Sequence, residues 1–172
     1  VNPDVDPKTH PYISTGLKKS KFGVARVHAL SLYKLAGRLS NINVSGVHSH
    51  IGSQLTDMAP IVEALDRVIH LAGKLLDKGM VLEHLDLGGG LGIRYNEEQP
   101  PEPGAYVHAL VDRLQTMGSR YQNLRLLFEP GRAIVGNAGS DGFTAADAAD
   151  GFERAGAHLV GVRAQRELQL HL

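Results

Sequence analysis

Three short clusters carry the residue types from which a binding or catalytic site could be built: His48 to Gln54, Leu85 to Ile93, and Glu129 to Arg132. In the middle cluster an apolar run meets Gly88, Gly89 and Gly90, which lack Cβ atoms and can turn their N–H groups toward one anion such as phosphate. The same glycines would serve equally well in a tight βα turn. His50 brings a flat ring, and Ser53 a hydroxyl beside the flexible Gly52. Pro130 and Gly131 impose a turn that lets Glu129, Arg132 and the Gly131 N–H face a common ligand, although an ion pair across the turn is the plainer reading. His48 and His50, two apart, raise the question of a metal. The third ligand would have to come from elsewhere and no His-Glu-x-x-His spacing is present, so no metal is expected.

The elements that must position these clusters follow from periodicity. Leu30, Leu32, Leu35, Ala36 and Leu39 recur at helical spacing and predict a helix from about Ala25 to Ser40. Ile42, Val44 and Val47 lead into a short strand that stops at Gly52. From Met58 to Lys78 a 3.6-residue period predicts the longest helix, with Gly79 as its stop. Leu82 to Leu87 reads as a buried strand, Gly104 to Tyr121 as a further helix, and Leu124 to Phe128 as another strand. Between the glycine run and the third helix, Pro100, Pro101 and Pro103 enforce irregular chain. Residues 1–23, rich in Pro, Asp, Thr, Gly and Lys, read as irregular and partly exposed.

Strands alternating with helices define a parallel α/β sheet with right-handed crossovers, open or closed into a barrel. In either case the site lies at the C-terminal edge of the strands, so the three clusters converge. There an Arg fork suits a carboxylate or phosphate, and a carboxylate can pair with a protonated ring nitrogen. Hydroxyl, glycine nest, guanidinium, carboxylate and imidazole together suit a flat, phosphorylated, nitrogen-containing ring, and pyridoxal 5'-phosphate fits that list. A dinucleotide site is disfavoured, because the glycine run lacks the G-x-G-x-x-G spacing.

Composition narrows the classes further. With 172 residues, 42% of them hydrophobic and 21% charged, the chain is expected to form one domain or part of one. Eighteen basic and eighteen acidic residues cancel, so nucleic acid and anionic membranes are not expected partners. The absence of Cys excludes disulfides and a cysteine nucleophile in this chain, and no apolar run approaches membrane-span length. Beginning at Val1-Asn2-Pro3-Asp4, without Met or signal peptide, the sequence reads as an excerpt of something longer.

Taken together, Asn2-Pro3-Asp4, Thr9-His10-Pro11, Ser14-Thr15-Gly16, Lys21-Phe22-Gly23, His50-Ile51-Gly52-Ser53-Gln54, His84 to Gly92, Glu129 to Arg132 and Asn137-Ala138-Gly139 form a specific set. On these motifs the sequence resembles the diaminopimelate decarboxylase family, fold-type III pyridoxal-phosphate enzymes of the alanine racemase-like group. The resemblance covers residues 1 to about 139. It implies a partial (β/α)8 TIM-type barrel of several βα units with parallel strands. It implies that His50 stacks on the cofactor ring, and that Ser53, Gly88, Gly89, Gly90 and the Gly131 and Arg132 amides, at the Pro130 turn, hold the phosphate. By the same resemblance Glu129 meets the pyridine nitrogen and Arg132 binds a substrate carboxylate. The implied reaction converts meso-2,6-diaminopimelate to L-lysine and carbon dioxide, in a cytoplasmic, homodimeric parent acting on a small amino acid. A relative that decarboxylates ornithine or arginine, or a non-catalytic phosphate- or cofactor-binding module, would share the cup.

The chain also departs from that family. No lysine here carries the family's Schiff-base motif and there is no Cys, so no catalytic residue is assigned and residues 1–172 alone are expected to be inactive. After Gly139 the resemblance ends, which divides the chain into a cofactor-binding part, 1–139, and a divergent tail, 140–172. A shifted reading of the codons for Thr144 to Asp150 would restore a family-like run, so a frameshift is suspected; the alternative is an amphipathic helix near Ala145 to Ala157. A barrel lacking several strands is further expected to associate through its unpaired edges.

Overall fold

The computed structural model describes residues 1–7, 15–17 and 22–136, with the backbone of 162–163. Helix α1 spans Arg26–Ala36, strand β1 Gly46–His48, helix α2 Met58–Leu76, strand β2 His84–Asp86, helix α3 Pro103–Thr116, strand β3 Arg125–Leu127 and helix α4 Gly131–Val135. A 3₁₀ turn, Ser119–Tyr121, lies between α3 and β3. The expected tail, its suspected frameshift and the alternative helix lie outside the described residues, apart from a two-residue strand β4, Val162–Arg163.

Strands β1, β2 and β3 pair in parallel, in chain order, as the alternation of elements requires. Only β4 runs antiparallel, against β3. Register places Val47 beside Leu85 and Leu85 beside Leu126. All three are fully buried, because this face packs on the helices. There Leu65, Ile69 and Leu75 of α2 and Leu110 and Leu114 of α3 complete the core. Since strand side chains alternate, Gly46, His48, His84, Asp86, Arg125 and Leu127 occupy the opposite face. That face is where further strands of a barrel would enclose an interior.

Helix α2 forms where the 3.6-residue period is strongest. The Asp57 side chain caps it by accepting from the Ala59 N–H at 2.9 Å. Its end is closed by Gly79 at φ +77°, with the Met80 N–H reaching back to the Leu75 carbonyl at 3.1 Å. Pro103 opens α3, where its missing N–H costs no hydrogen bond. Two expectations change. Helix α1 ends at Gly37 rather than Ser40, and of its apolar positions only Ala29 is fully buried, while Leu32, Leu35 and Leu39 are exposed. The strands are three residues each, shorter than their apolar runs, because the chain then bends into the glycine-rich ends.

Candidate cofactor site at the strand ends

The C-terminal ends of β1, β2 and β3 are drawn together by backbone bonds that continue past the regular ladder. The Ser49 N–H donates to the Asp86 carbonyl at 2.9 Å, Leu87 N–H to Leu127 at 3.0 Å, and Glu129 N–H to Gly88 at 2.9 Å. A second junction forms where Leu55 pairs with Leu91 and the Leu55 N–H donates to the Gly90 carbonyl at 2.8 Å. Gln54 extends it with its side chain: Nε2 donates to the Ile93 carbonyl at 2.6 Å and Oε1 accepts from the Ile93 N–H at 3.2 Å.

This closeness explains the glycines. A Cβ at Gly89 would be driven into the Glu129 carbonyl, and one at Gly90 into the Gly52 carbonyl. Gly88 stands at φ +67° and Gly90 at φ +105°, backbone that residues with a Cβ rarely adopt. Both readings of the run therefore meet in one place: the glycines allow the turn, and the turn brings three strand ends to one point. The Gly88 N–H is held by Asp86 Oδ1 at 2.9 Å and the Gly89 N–H by His50 Nδ1 at 3.1 Å. Similarly, the Gly131 N–H donates to the Glu129 carbonyl at 2.9 Å. Among the described hydrogen bonds of the run, the Gly90 amide is the one not engaged.

The side chains divide into two groups. At one end Ser53 Oγ accepts from Arg132 Nε at 3.1 Å and Nη2 at 3.0 Å, and Arg132 Nη1 donates to the Tyr95 hydroxyl. At the other, Glu129 Oε2 lies 3.4 Å from His48 Nε2. The ion pair considered across the Pro130-Gly131 turn is thus replaced by longer-range partners: Arg132 turns to Ser53, Glu129 to His48. His50 is half-buried, with its Nδ1 on the Gly89 N–H and Glu129, His48 and Asp86 as its charged neighbours. Burial pushes its pKa below the ordinary value of 6.5, against the opposing pull of Glu129 and Asp86, so its ring is neutral. Accepting at Nδ1 from Gly89 places the ring proton on Nε2.

Of the residues expected at the site, His50, Ser53, Gly88, Gly89, Gly90, Glu129, Pro130, Gly131 and Arg132 all fall at this edge. His48, Asp86 and Tyr95 join them without having been assigned a role. His48 and Asp86 are register partners, and their ligand atoms and that of Glu129 lie within 4.8 Å of one another. The signal for them was the two-residue alternation that places His48 and Asp86 on the strand face opposite the core. A hydroxyl-bound guanidinium, an imidazole and a carboxylate thus gather at the C-terminal strand ends of a parallel βα sheet, the edge at which proteins of this α/β class hold their ligands.

Comparison with known proteins makes that class specific. Residues 1–136 match the family described as pyridoxal-dependent decarboxylase, pyridoxal binding domain, and the chain belongs to that family. Diaminopimelate decarboxylase from Vibrio cholerae is 52% identical over 139 residues, which are 81% of this chain and 32% of that protein. The solved diaminopimelate decarboxylase from Helicobacter pylori, complexed with L-lysine, superposes with a TM-score of 0.69 at 40% identity, covering 76% of this chain and 32% of that one. SrLDC in complex with PLP and cadaverine follows at a TM-score of 0.58 and 28% identity, over 67% of this chain and 29% of that one. The chain spans about a third of the length of the relatives it matches. Pyridoxal phosphate is the family's cofactor, and the donors present suit it: a cation and hydroxyl for its phosphate, a flat neutral ring for its face, and a carboxylate for its nitrogen.

Proposed function

We propose that this chain is the cofactor-holding part of a decarboxylase that converts meso-2,6-diaminopimelate to L-lysine and carbon dioxide. The observation that carries the reading is the meeting of all three strand-end clusters at one edge, in a chain 52% identical to a diaminopimelate decarboxylase. In this reading Ser53 and the Gly90 and Arg132 amides take the phosphate, and the Gly88, Gly89 and Gly131 amides join them by exchanging their present partners, Asp86, His50 and the Glu129 carbonyl. His50, held neutral, lies against the ring without placing a second positive charge on it. Glu129 accepts from the ring N–H. Arg132, already tied to Ser53 and Tyr95, takes a substrate carboxylate by exchanging one of those partners. Pyridoxal phosphate bound there supplies an electron sink for the electron pair released when the carbon–carboxylate bond breaks.

Of the described lysines, Lys34 on α1 and Lys78 just after α2 line a hollow with Asn43, Val44 and Glu83 ahead of β1 and β2, at the opposite strand ends, and Lys74 lies on α2 beside Arg26 and His70. The proposal therefore places the Schiff-base lysine outside these residues, and the chain alone releases no carbon dioxide. Residues 1–139 are proposed as the cofactor-binding unit, supported by a family match that stops at residue 136. A homodimeric parent, a cytoplasmic setting and the lack of nucleic-acid or membrane partners belong to the same proposal. They rest on the family resemblance and on the balanced charge. Among the described residues no helix is long and apolar enough to cross a membrane.

Titration with pyridoxal phosphate tests the reading. With five Tyr and no Trp, tyrosine emission reports binding at the mouth through Tyr95. Saturable quenching is expected, weakened about tenfold or more by Arg132→Ala. Failure of the chain to bind the cofactor saturably would overturn it.

A further inference from the structure

His48 and Asp86 are the groups at this edge that the assigned roles leave unexplained. They face each other in the β1–β2 register, and each has its ligand atom within 4.8 Å of that of Glu129. Asp86 is already committed to the Gly88 N–H, which fixes its carboxylate at the base of the glycine turn. Two anionic carboxylates this close repel, and an N–H donor or positive charge between them offsets the repulsion. His48 Nε2, 3.4 Å from Glu129 Oε2, is placed to supply it. Arg132 is held by Ser53 and Tyr95, and His50, whose Nδ1 accepts from the Gly89 N–H, is disfavoured by burial from carrying a positive charge of its own. Both members of the His48–Glu129 pair are about half exposed, with side-chain values of 52% and 56%. Such a pair adds little to stability, so what it contributes is orientation.

We propose that His48 is a positioning residue, whose Nε2 edge holds the Glu129 carboxylate against repulsion from Asp86 in the orientation that receives the cofactor's ring nitrogen. The inference rests on the reading of Glu129 as the partner of that nitrogen. It is a role in aiming a carboxylate, distinct from holding the phosphate or the ring face.

The test compares two probes on the 172-residue chain: pyridoxal phosphate, and its carbocyclic analogue in which the ring nitrogen is replaced by C–H. The wild-type chain is expected to favour the nitrogen-bearing ring by about tenfold. His48→Ala should lose most of that preference while binding the analogue as before, since the analogue is held by its phosphate. His48→Gln, which restores an N–H donor, should recover part of it, and Glu129→Gln sets the level of complete loss. A preference that survives His48→Ala but disappears in Glu129→Gln would overturn the role of His48 alone. Equal weakening of both probes by His48→Ala would mark a merely structural role and overturn it too. Absence of any preference in the wild-type chain would instead remove the reading of Glu129, and the inference with it.

Discussion

At the scale of single residues, His50 shows how burial and one backbone bond prepare a side chain. The Gly89 N–H fixes which ring nitrogen carries the proton, and burial keeps the ring neutral. The pH consequence follows from the sign of the shift. Above the ordinary value of 6.5 the ring is neutral in both folded and unfolded chains, and His50 contributes no pH dependence. Below it the unfolded chain takes up a proton that the folded chain resists, so stability falls as pH drops toward the lowered folded value. His50→Phe removes this component. The difference in unfolding midpoint between wild type and variant, followed from about pH 7.5 to 5.5, should therefore change with pH in the direction of a less stable wild type in acid. A difference that stays flat would contradict the neutral-ring account. Ser53, Glu129 and Arg132 could be singled out in the sequence because each adjoins a glycine or proline that favours a turn, and His50 because it lies near the end of the expected strand, two residues before Gly52. His48 was legible only as half of a histidine pair, and the partners of Arg132 and Glu129 were not legible at all. They come from β1 and from the loops that follow β1 and β2, 37 to 81 residues away, through tertiary placement that no local spacing encodes.

At the scale of elements, α2 was legible nearly to the residue, because nineteen consecutive positions keep one apolar stripe between an Asp cap and a glycine stop. The stripe anchors the sheet whose ends form the site. Leu65→Ala, at a position with no exposed surface, should cost about 2–5 kcal/mol in urea unfolding, whereas an exposed change such as Val81→Ala should cost little. Similar costs at the two positions would mean that α2 is not packed as described. The shortness of the strands was not legible, because an apolar run cannot reveal where backbone pairing gives way to a bend. The Leu55–Leu91 junction was hidden for a related reason: it depends on Gln54 at φ +57° imitating a strand with its side chain. Helix α1 was legible as a helix but not as an exposed one. Its period suits burial, yet Val27 and Leu35 are 75% and 53% exposed.

At the scale of the whole molecule, that bare α1 face and the polar face of the sheet share one explanation. In a closed barrel, helices pack between neighbouring βα units and the inner strand face is enclosed. This chain spans about a third of the length of its relatives, and the exposed α1 face and the polar sheet face are the surfaces that such neighbours would cover. In the proposed reading the three strand ends nevertheless form one cup, with the phosphate end at Ser53 and Arg132 and the ring end at His50 and Glu129. A crystal structure of the chain with pyridoxal phosphate tests it most directly. The phosphate is expected between Ser53 and Arg132, with the ring against His50 and its nitrogen toward Glu129. A cofactor bound away from these strand ends, or with its phosphate at the Glu129 side, would contradict it.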